Sequence, residues 1–259
     1  MQTRRGPLWL ADADLSAGSD DRPALLAIHG AGGSRLSWPR SIRRIEGWRV
    51  LTVDLPGHGR SEGAGRSSTA EYAADLLALL ESIQLERVIA IGHSLGGAIA
   101  LQMALEMPER VAGLILIATG AKLSVRADLL DALHSDPVNA AAALNEMMFG
   151  GKTAPELKAA NLALLRAAAR VLHGDFWAAH MFDVRERLSA IDAPTLVIVG
   201  GEDVMTPPAY SQYLQTRLPN AALLQFAGAG HNVHLEQPDA VGAALRSWLA
   251  NWEPRSPIA

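Results

Sequence analysis

Gly92-His93-Ser94-Leu95-Gly96 joins an aliphatic segment, residues 87–91, to an alanine- and leucine-rich segment, residues 98–105. The first segment predicts a buried parallel strand, and the second predicts a helix. A sharp turn between strand and helix strains the serine backbone, so the residues two before and two after it must be nearly free of side chains. The Ser94 hydroxyl then stands above the sheet, where the helix N-terminus also points its N–H groups. The stretch therefore predicts a nucleophilic serine.

Short aliphatic segments alternate with longer amphipathic ones along the rest of the chain. The sequence predicts strands at residues 24–29, 49–54, 87–92, 113–118, 194–200 and 222–226. It predicts helices at residues 69–83, 98–107, 208–218 and 238–251, with Thr69 as the N-cap of the first. This alternation is typical of an α/β fold in which a mostly parallel central sheet carries helices on both faces.

The alternation is interrupted once, at residues 122–188, which read as several helices with no strand between them. We expect residues 1–121 and 189–259 to form the core and residues 122–188 to form a helical cap, or lid, inserted into it. Ordinary helix packing explains any single apolar residue of this insertion. As a group, however, they predict an apolar cover over the site. The expected substrate contacts from the insertion are Met147, Phe149, Trp177 and Met181.

Composition restricts the class of protein. The chain has 259 residues, of which 49% are hydrophobic and 19% charged, and its net charge of −4 predicts no nucleic-acid partner. The absence of cysteine excludes disulfides and thiolate chemistry. No signal peptide or membrane span is visible, so we expect a cytoplasmic protein without a membrane partner. The oligomeric state stays open between monomer and dimer.

A serine hydroxyl needs a base to take its proton. His231 lies in a small-residue loop after the last predicted strand, at the sheet edge where Ser94 also emerges. His234 shares this loop, but it leads into a helix, and packing or capping is its expected task. His93 neighbours the nucleophile at the substrate site, with its side chain expected to point away. Turn chemistry in the loop at residues 56–61 accounts for His58.

The base needs an acid that fixes its tautomer and stabilises the imidazolium. Asp203 follows another predicted strand at the same edge of the sheet, and gives the chain order Ser94, Asp203, His231. Asp192 precedes that strand and falls at the opposite edge, and the side chain of the adjacent Glu202 should point away. Asp54 also ends a strand, but we expect it to organise the Pro56-Gly57 turn. No histidine pair has metal-ligand spacing supported by carboxylates, so we expect no metal and no cofactor.

Developing negative charge on the substrate needs backbone donors. The N–H of Leu95 should be one of them. The loop His29-Gly30-Ala31-Gly32-Gly33 should supply the other from Ala31, with Gly32 next in line, because its glycines let the backbone approach a substrate closely. Gly30 and Gly32 are accordingly expected substrate contacts.

Four motifs together resemble the α/β-hydrolase superfamily over nearly the whole chain, and in detail its capped esterase, lactonase and C–C hydrolase branch. They are the loop at residues 29–33, the segment at residues 54–61, the stretch at residues 92–97, and the pair formed by residues 201–203 and 230–231. The resemblance implies a triad of Ser94, Asp203 and His231 and an oxyanion hole formed by Ala31 and Leu95.

Differences between this sequence and the motifs of individual subfamilies reduce the number of possible activities. A serine at position 94 argues against haloalkane dehalogenases and epoxide hydrolases, which use aspartate there. Residues 199–208 resemble enol-lactonases and simple esterases, and lack the tryptophan and arginine that meta-cleavage C–C hydrolases tend to carry. We therefore expect a cofactor-independent serine esterase, a carboxylesterase acting on small to medium apolar acyl groups.

Four alternatives stay open at this point. The first is a 3-oxoadipate enol-lactonase-like lactonase, in which Arg126, Arg166 or Arg170 would bind the substrate carboxylate. The others are a C–C bond hydrolase, a ligand receptor built on the same fold, and an acyltransferase or perhydrolase, because a triad does not reveal the second nucleophile.

Overall fold

A central sheet runs through the molecule. The computed structural model describes the backbone of residues 2–5 and the whole of residues 8–14 and 22–253. The strands in these ranges are β1 Gln2–Arg5, β2 Leu8–Asp14, β3 Ala24–Ile28, β4 Arg49–Asp54, β5 Val88–His93, β6 Val111–Ile117, β7 Thr195–Gly200 and β8 Ala221–Phe226. Their order is β1-β2-β4-β3-β5-β6-β7-β8, and all pairs are parallel except β1 with β2 and β2 with β4. The predicted α/β fold is confirmed.

Helices cover the sheet on both sides. Those in the described residues are α1 Arg40–Arg43, α2 Thr69–Ser82, α3 Leu95–Glu106, α4 Ala127–Ser135, α5 Pro137–Met147, α6 Pro155–Ala167, α7 Ala169–Met181, α8 Pro208–Arg217, α9 Val233–Glu236 and α10 Pro238–Ala250. The predicted N-cap of α2 is wrong: the Ser68 hydroxyl accepts the N–H of Glu71, and Thr69 is already the first helical residue. Helix α3 starts at Leu95, earlier than the predicted residue 98, because Ser94 itself is its N-cap residue.

The first two strands were not predicted. In β2, buried Leu8 and Leu10 alternate with partly exposed residues, and Asp12 and Asp14 weaken the apolar pattern. Such half-exposed antiparallel strands carry a weaker signal than the fully buried strands at the centre of the sheet. At β6 the predicted end at residue 118 is one residue late, because Ala118 has a φ of 48° and leaves the strand.

The core consists of two apolar layers, one on each face of the sheet. Leu26 and Ile28 of β3 face the layer that contains α2 and α3, whereas Leu25 and Ala27 face the layer that contains α1 and α10. Because a strand points alternate side chains to opposite faces, a strand buried on both faces needs a continuous aliphatic run. This explains why β3 was recognisable from the sequence.

The segment at residues 122–188, called the helical insertion below, lies between β6 and β7 and contains α4 to α7. The two ends of the insertion are joined by an isolated β-bridge between Lys122 and Asp183. The same two residues form a salt bridge, with the ammonium and the carboxylate 3.3 Å apart. Leu133, Leu144 and Leu172 belong to a third apolar cluster within it. None of the described helices is long and apolar enough to cross a membrane.

The strand order reverses between β3 and β5, since the chain proceeds from β3 to β4 on one side and then crosses to β5 on the other. At such a switch point, the loops that follow the two strands separate and leave a crevice at their carboxyl ends. The loop after β3 and the turn after β5 flank this crevice, and the loops after β7 and β8 end at the same edge of the sheet.

Candidate active site

Ser94 occupies the sharp turn between β5 and α3. Its backbone has φ 53° and ψ −118°, a conformation that a side-chain-bearing residue rarely adopts, and its N–H donates to the carbonyl of Ile117 at 2.9 Å. A Cβ at Gly92 would lie 2.3 Å from the carbonyl oxygen of Gly96, and one at Gly96 would lie 2.1 Å from that of Ile28. Both positions therefore require glycine, and the strained turn predicted from the sequence is present.

Asp203 and His231 come together from the loops after β7 and β8. The Nδ1 atom of His231 is 2.9 Å from Oδ2 of Asp203, and both residues are buried. Because the carboxylate accepts the proton on Nδ1, Nε2 is left as the basic atom. The Nε2 atom is buried and has no hydrogen-bond partner in the described part of the chain. This geometry suits an imidazole that receives a proton from a further group.

Asp203 has additional donors. It accepts the N–H groups of Met205 and Thr206 at 2.9 and 2.8 Å and the Thr206 hydroxyl at 2.7 Å. Burial raises the pKa of the Asp203 carboxyl, but the charge and hydrogen bond of His231 and the Thr206 donors outweigh it, so the pKa is lowered. Thr206 was not singled out from the sequence. Its position three residues after a strand-end acid is the signal that could have identified it.

The rival acids and the rival base have other partners. Glu202 accepts the N–H of Gly151 in the helical insertion at 2.9 Å, and the Asp192 carboxylate accepts from Asn220 at 2.8 Å. The His234 ring packs at a tilt of 49° against His93, with ring centroids 4.4 Å apart. It also packs against Trp38. Packing is therefore what His234 does, as expected.

The loop after β3 lies directly beside the serine. A Cβ at Gly30 would be 3.3 Å from the Cβ of Ser94 and 2.8 Å from Nδ1 of His93. Leu95 is the first residue of α3, so its N–H has no partner within the helix. The Gly32 N–H donates to the Asp175 carboxylate at 2.8 Å. Gly32 is therefore not free to be the second donor, and of the two expected from this loop Ala31 remains.

A small cavity of about 20 Å³ lies behind this loop. The predicted contacts Gly30, Gly32 and His93 line it, as do Asn232 and the insertion residue Met148. The four substrate contacts predicted in the insertion lie elsewhere. Phe149 is buried in the third apolar cluster, and the side chains of the other three are exposed: Met147, Trp177 and Met181. Their contact with a substrate stays a prediction.

Neutral histidine rings lie beside His231 and in the loop after β3. The Nε2 of His93 donates to the His231 carbonyl at 3.1 Å, and the two ring centroids are 4.9 Å apart. Burial and the neighbouring His234 and His231 lower the pKa of His93, and burial and His231 lower the pKa of His234 to about 3. His29 donates from Nδ1 to Gly30 and accepts the Leu55 N–H at Nε2, so it is neutral, and burial lowers its pKa to about 4.

The insertion is bonded to the loop of the base. The Glu236 carboxylate accepts the Gly230 N–H at 2.8 Å and the Gly150 N–H at 2.9 Å. In addition, the Asn232 N–H donates to the carbonyl of Met148 at 2.9 Å. The segment at residues 148–150 therefore helps to fix the backbone on either side of His231.

A second buried acid–histidine pair lies nearby. Its acid, Asp175, was not singled out from the sequence, and its histidine, His58, was assigned to turn chemistry alone. Asp54 organises its turn as expected, because its carboxylate accepts the Arg60 N–H at 3.0 Å. His58 of the same turn does more than turn chemistry requires, since its Nε2 lies 2.8 Å from Asp175 of α7. A carboxylate among buried apolar neighbours such as Leu172 and Phe176 is the signal that could have drawn attention to Asp175.

Known proteins share this arrangement of strands, turns and loops. The model of the Alpha/beta hydrolase family matches residues 25–244. A Pseudomonas syringae pv. syringae protein named "Putative carbamate hydrolase RutD" is 31% identical over 248 residues, which cover 89% of this chain and 95% of that protein. A pimeloyl-[acyl-carrier protein] methyl ester esterase of Neisseria meningitidis is 31% identical, over 86% of this chain and 75% of its own length.

A solved structure of a thermophilic esterase superposes with a TM-score of 0.81 at 29% identity and covers 96% of both chains. The region matched by the family model runs from the second residue of β3 through β8, and contains the serine turn and the loops that carry Asp203 and His231. On the fold, the strained turn and these similarities, the chain belongs to the alpha/beta hydrolase family.

Proposed function

We propose that the protein is a carboxylic ester hydrolase that acts through an acyl-enzyme intermediate. The observation that carries this proposal is the buried Asp203–His231 pair, whose Nε2 is unpartnered in the described structure at the sheet edge where Ser94 emerges. His93 connects the two, because it precedes Ser94 in the chain and its ring donates to the His231 backbone. The esterase relatives support the same reaction class.

The reaction would proceed in two halves. Ser94 Oγ attacks the acyl carbonyl while His231 Nε2 takes its proton, and the resulting oxyanion accepts the N–H groups of Leu95 and Ala31. His231 then gives the proton to the leaving alcohol as the ester bond breaks. Water attacks the acyl-enzyme in the second half, with His231 again as base, and releases the acid and the free serine. Asp203 keeps the His231 tautomer fixed throughout.

The helical insertion would act as a lid over this site. It contacts the loop after β3 through Gly32 and the base loop through Gly230, so it borders both sides of the serine. Met148 and Leu165 of its apolar cluster line the small cavity at the loop after β3, which favours an apolar acyl group over a charged one. This supports the division into a core of residues 1–121 and 189–259 and a cap of residues 122–188.

The structure does not favour an enol-lactone with a free carboxylate. Two of the three arginines considered for that role have other partners: Arg126 pairs with Asp128 on the surface, and Arg170 donates to the carbonyl of Gly57 at 3.1 Å. Arg166 is exposed near the end of α6. A neutral ester, including a cyclic one, needs no such cation.

Steady-state hydrolysis of p-nitrophenyl esters from acetate to laurate tests the proposal, with the native chain and Ser94→Ala measured side by side. We expect rapid turnover of short esters by the native chain and loss of turnover in the variant. The chain-length optimum would then report the size of the acyl pocket. A folded native chain that leaves every ester intact would contradict the proposal and favour C–C hydrolysis or a receptor.

A further inference from the structure

Asp175 of the helical insertion binds three parts of the core. Its carboxylate accepts the Gly32 N–H and the His58 ring at 2.8 Å each through Oδ2, and the Tyr72 hydroxyl at 2.5 Å through Oδ1. These donors belong to the loop after β3, the loop after β4 and helix α2. The Asp175 side chain is completely buried. A buried carboxylate with several donors is held in a single geometry.

His58 is an imidazolium in this arrangement. Its Nδ1 faces the Pro56 carbonyl at 3.0 Å and its Nε2 faces the Asp175 carboxylate, so both ring nitrogens need a proton to donate. Burial lowers the pKa of His58, but the charge and hydrogen bond of Asp175 outweigh it, and the pKa is raised. Asp175 and His58 therefore form a buried ion pair between insertion and core.

The insertion also packs tightly on the loop after β3. Gly32 has a φ of 64°, and a Cβ there would lie 2.4 Å from Cδ2 of Leu172 and 3.0 Å from Cδ2 of Leu165. Both leucines belong to the third apolar cluster. A hydrogen bond to Asp175 and an apolar contact with Leu172 thus both place Gly32 against the insertion.

We propose that Asp175 is a positioning residue for the oxyanion hole. The Gly32 N–H shares a planar peptide unit with the Ala31 carbonyl, whereas the Ala31 N–H lies in the preceding unit, whose Gly30 carbonyl accepts the Gly33 N–H at 3.0 Å. The two units meet at the Ala31 Cα, so the bond to Asp175 fixes the second unit and with it the turn that orients the Ala31 N–H. The donor at Ala31 is then in place only when the insertion is seated on the core. The proposal rests on the ester hydrolase function proposed above, and it makes the insertion part of the catalytic geometry as well as a cover.

The first test is Asp175→Leu, with Tyr72→Phe as the matched control. Leucine is similar in size and removes every acceptor, including the one for Gly32, whereas Tyr72→Phe removes one hydrogen bond from the carboxylate and leaves Gly32 bound. With p-nitrophenyl butyrate we expect kcat to fall about 10- to 100-fold in Asp175→Leu with KM within about twofold. In Tyr72→Phe kcat should stay within about threefold. Equal losses of kcat in the two variants at equal losses of Tm would overturn the proposal.

The second test needs no substrate, so it decides the proposal even when the native chain hydrolyses no ester. Hydrogen exchange resolved at single amides should show a protected Gly32 N–H in the native chain and at least tenfold faster exchange in folded Asp175→Leu, with the Gly33 N–H unchanged because it bonds to Gly30 within the loop. Unchanged exchange at Gly32 would overturn the proposal. If Asp175→Leu does not fold, an unprotected Gly32 in the native chain would overturn it equally.

Discussion

Two buried aspartate–histidine pairs lie within this molecule, and they differ in the second ring nitrogen. In the pair Asp203–His231, one nitrogen bonds to the carboxylate and the other has no partner among the described residues. In the pair Asp175–His58, both nitrogens face acceptors. The first ring can accept a proton, and the second is already fully protonated and locked. The same two residue types therefore give a ring that can take up a proton in one place and a buried ion pair in the other.

The largest expected effect comes from Asp203→Asn. An amide in place of the carboxylate can donate to His231 Nδ1, which moves the ring proton to Nε2 and removes the base. We expect kcat on p-nitrophenyl butyrate to fall about 10⁴-fold. The Tm should change little by comparison, which a thermal scan would check. A loss of less than tenfold would show that this pair is not the catalytic one.

His58→Leu tests the other pair. The substitution leaves the Asp175 carboxylate buried without its counter-charge, so we expect the free energy of unfolding to fall by about 3–5 kcal/mol, measured by urea denaturation. The matched control is the double variant His58→Leu with Asp175→Leu, which removes both charges. It should be more stable than His58→Leu alone, and a further loss of stability in the double variant would contradict the ion pair.

The smallest expected effect is the change in the free energy of unfolding with pH. His29 and His234 are buried with pKa values lowered to about 4 and about 3, so below about pH 6.5 the unfolded chain binds protons that the native chain does not. Stability should therefore fall as the pH drops from 7 to 5, by up to about 1.4 kcal/mol per pH unit for each such histidine. The contribution of His58 has the opposite sign, because its raised pKa keeps that contribution complete in acid and loses it as the pH rises through the folded value.

Urea denaturation at pH 7, 6 and 5 measures this slope. His234→Phe keeps an aromatic ring between Trp38 and His93 and removes one titrating group, so its slope should be shallower than that of the native chain. Identical slopes in the two proteins would show that His234 does not remain neutral on folding.

The sequence alone predicted those parts of the structure that depend on a local pattern of residues. The aliphatic run of β3 is buried on both faces, and Gly92 and Gly96 are dictated by contacts with backbone close to Ser94. The positions of Asp203 and His231 followed from strand ends, because parallel strands end at one edge of the sheet.

What the sequence did not reveal depends on distant contacts. Asp175 and His58 are 117 residues apart in the chain, and neither has a local pattern that points to the other. The Gly32 N–H was the second candidate after Ala31 for the oxyanion hole, and only its bond to Asp175 of the insertion excludes it. Strand β2 was missed because its half-exposed face carries Asp12 and Asp14.

The hydrogen bonds of Gly150 and Gly230 to Glu236 have a practical meaning for anyone who redesigns this protein. They anchor the insertion to the loop that carries His231, so we expect a graft of a foreign insertion to alter turnover on every substrate, including those that fit. A library that keeps residues 148–150 and varies exposed positions such as Trp177 and Met181 separates the choice of substrate from the speed of reaction. The anchor thus defines which part of the insertion is interchangeable.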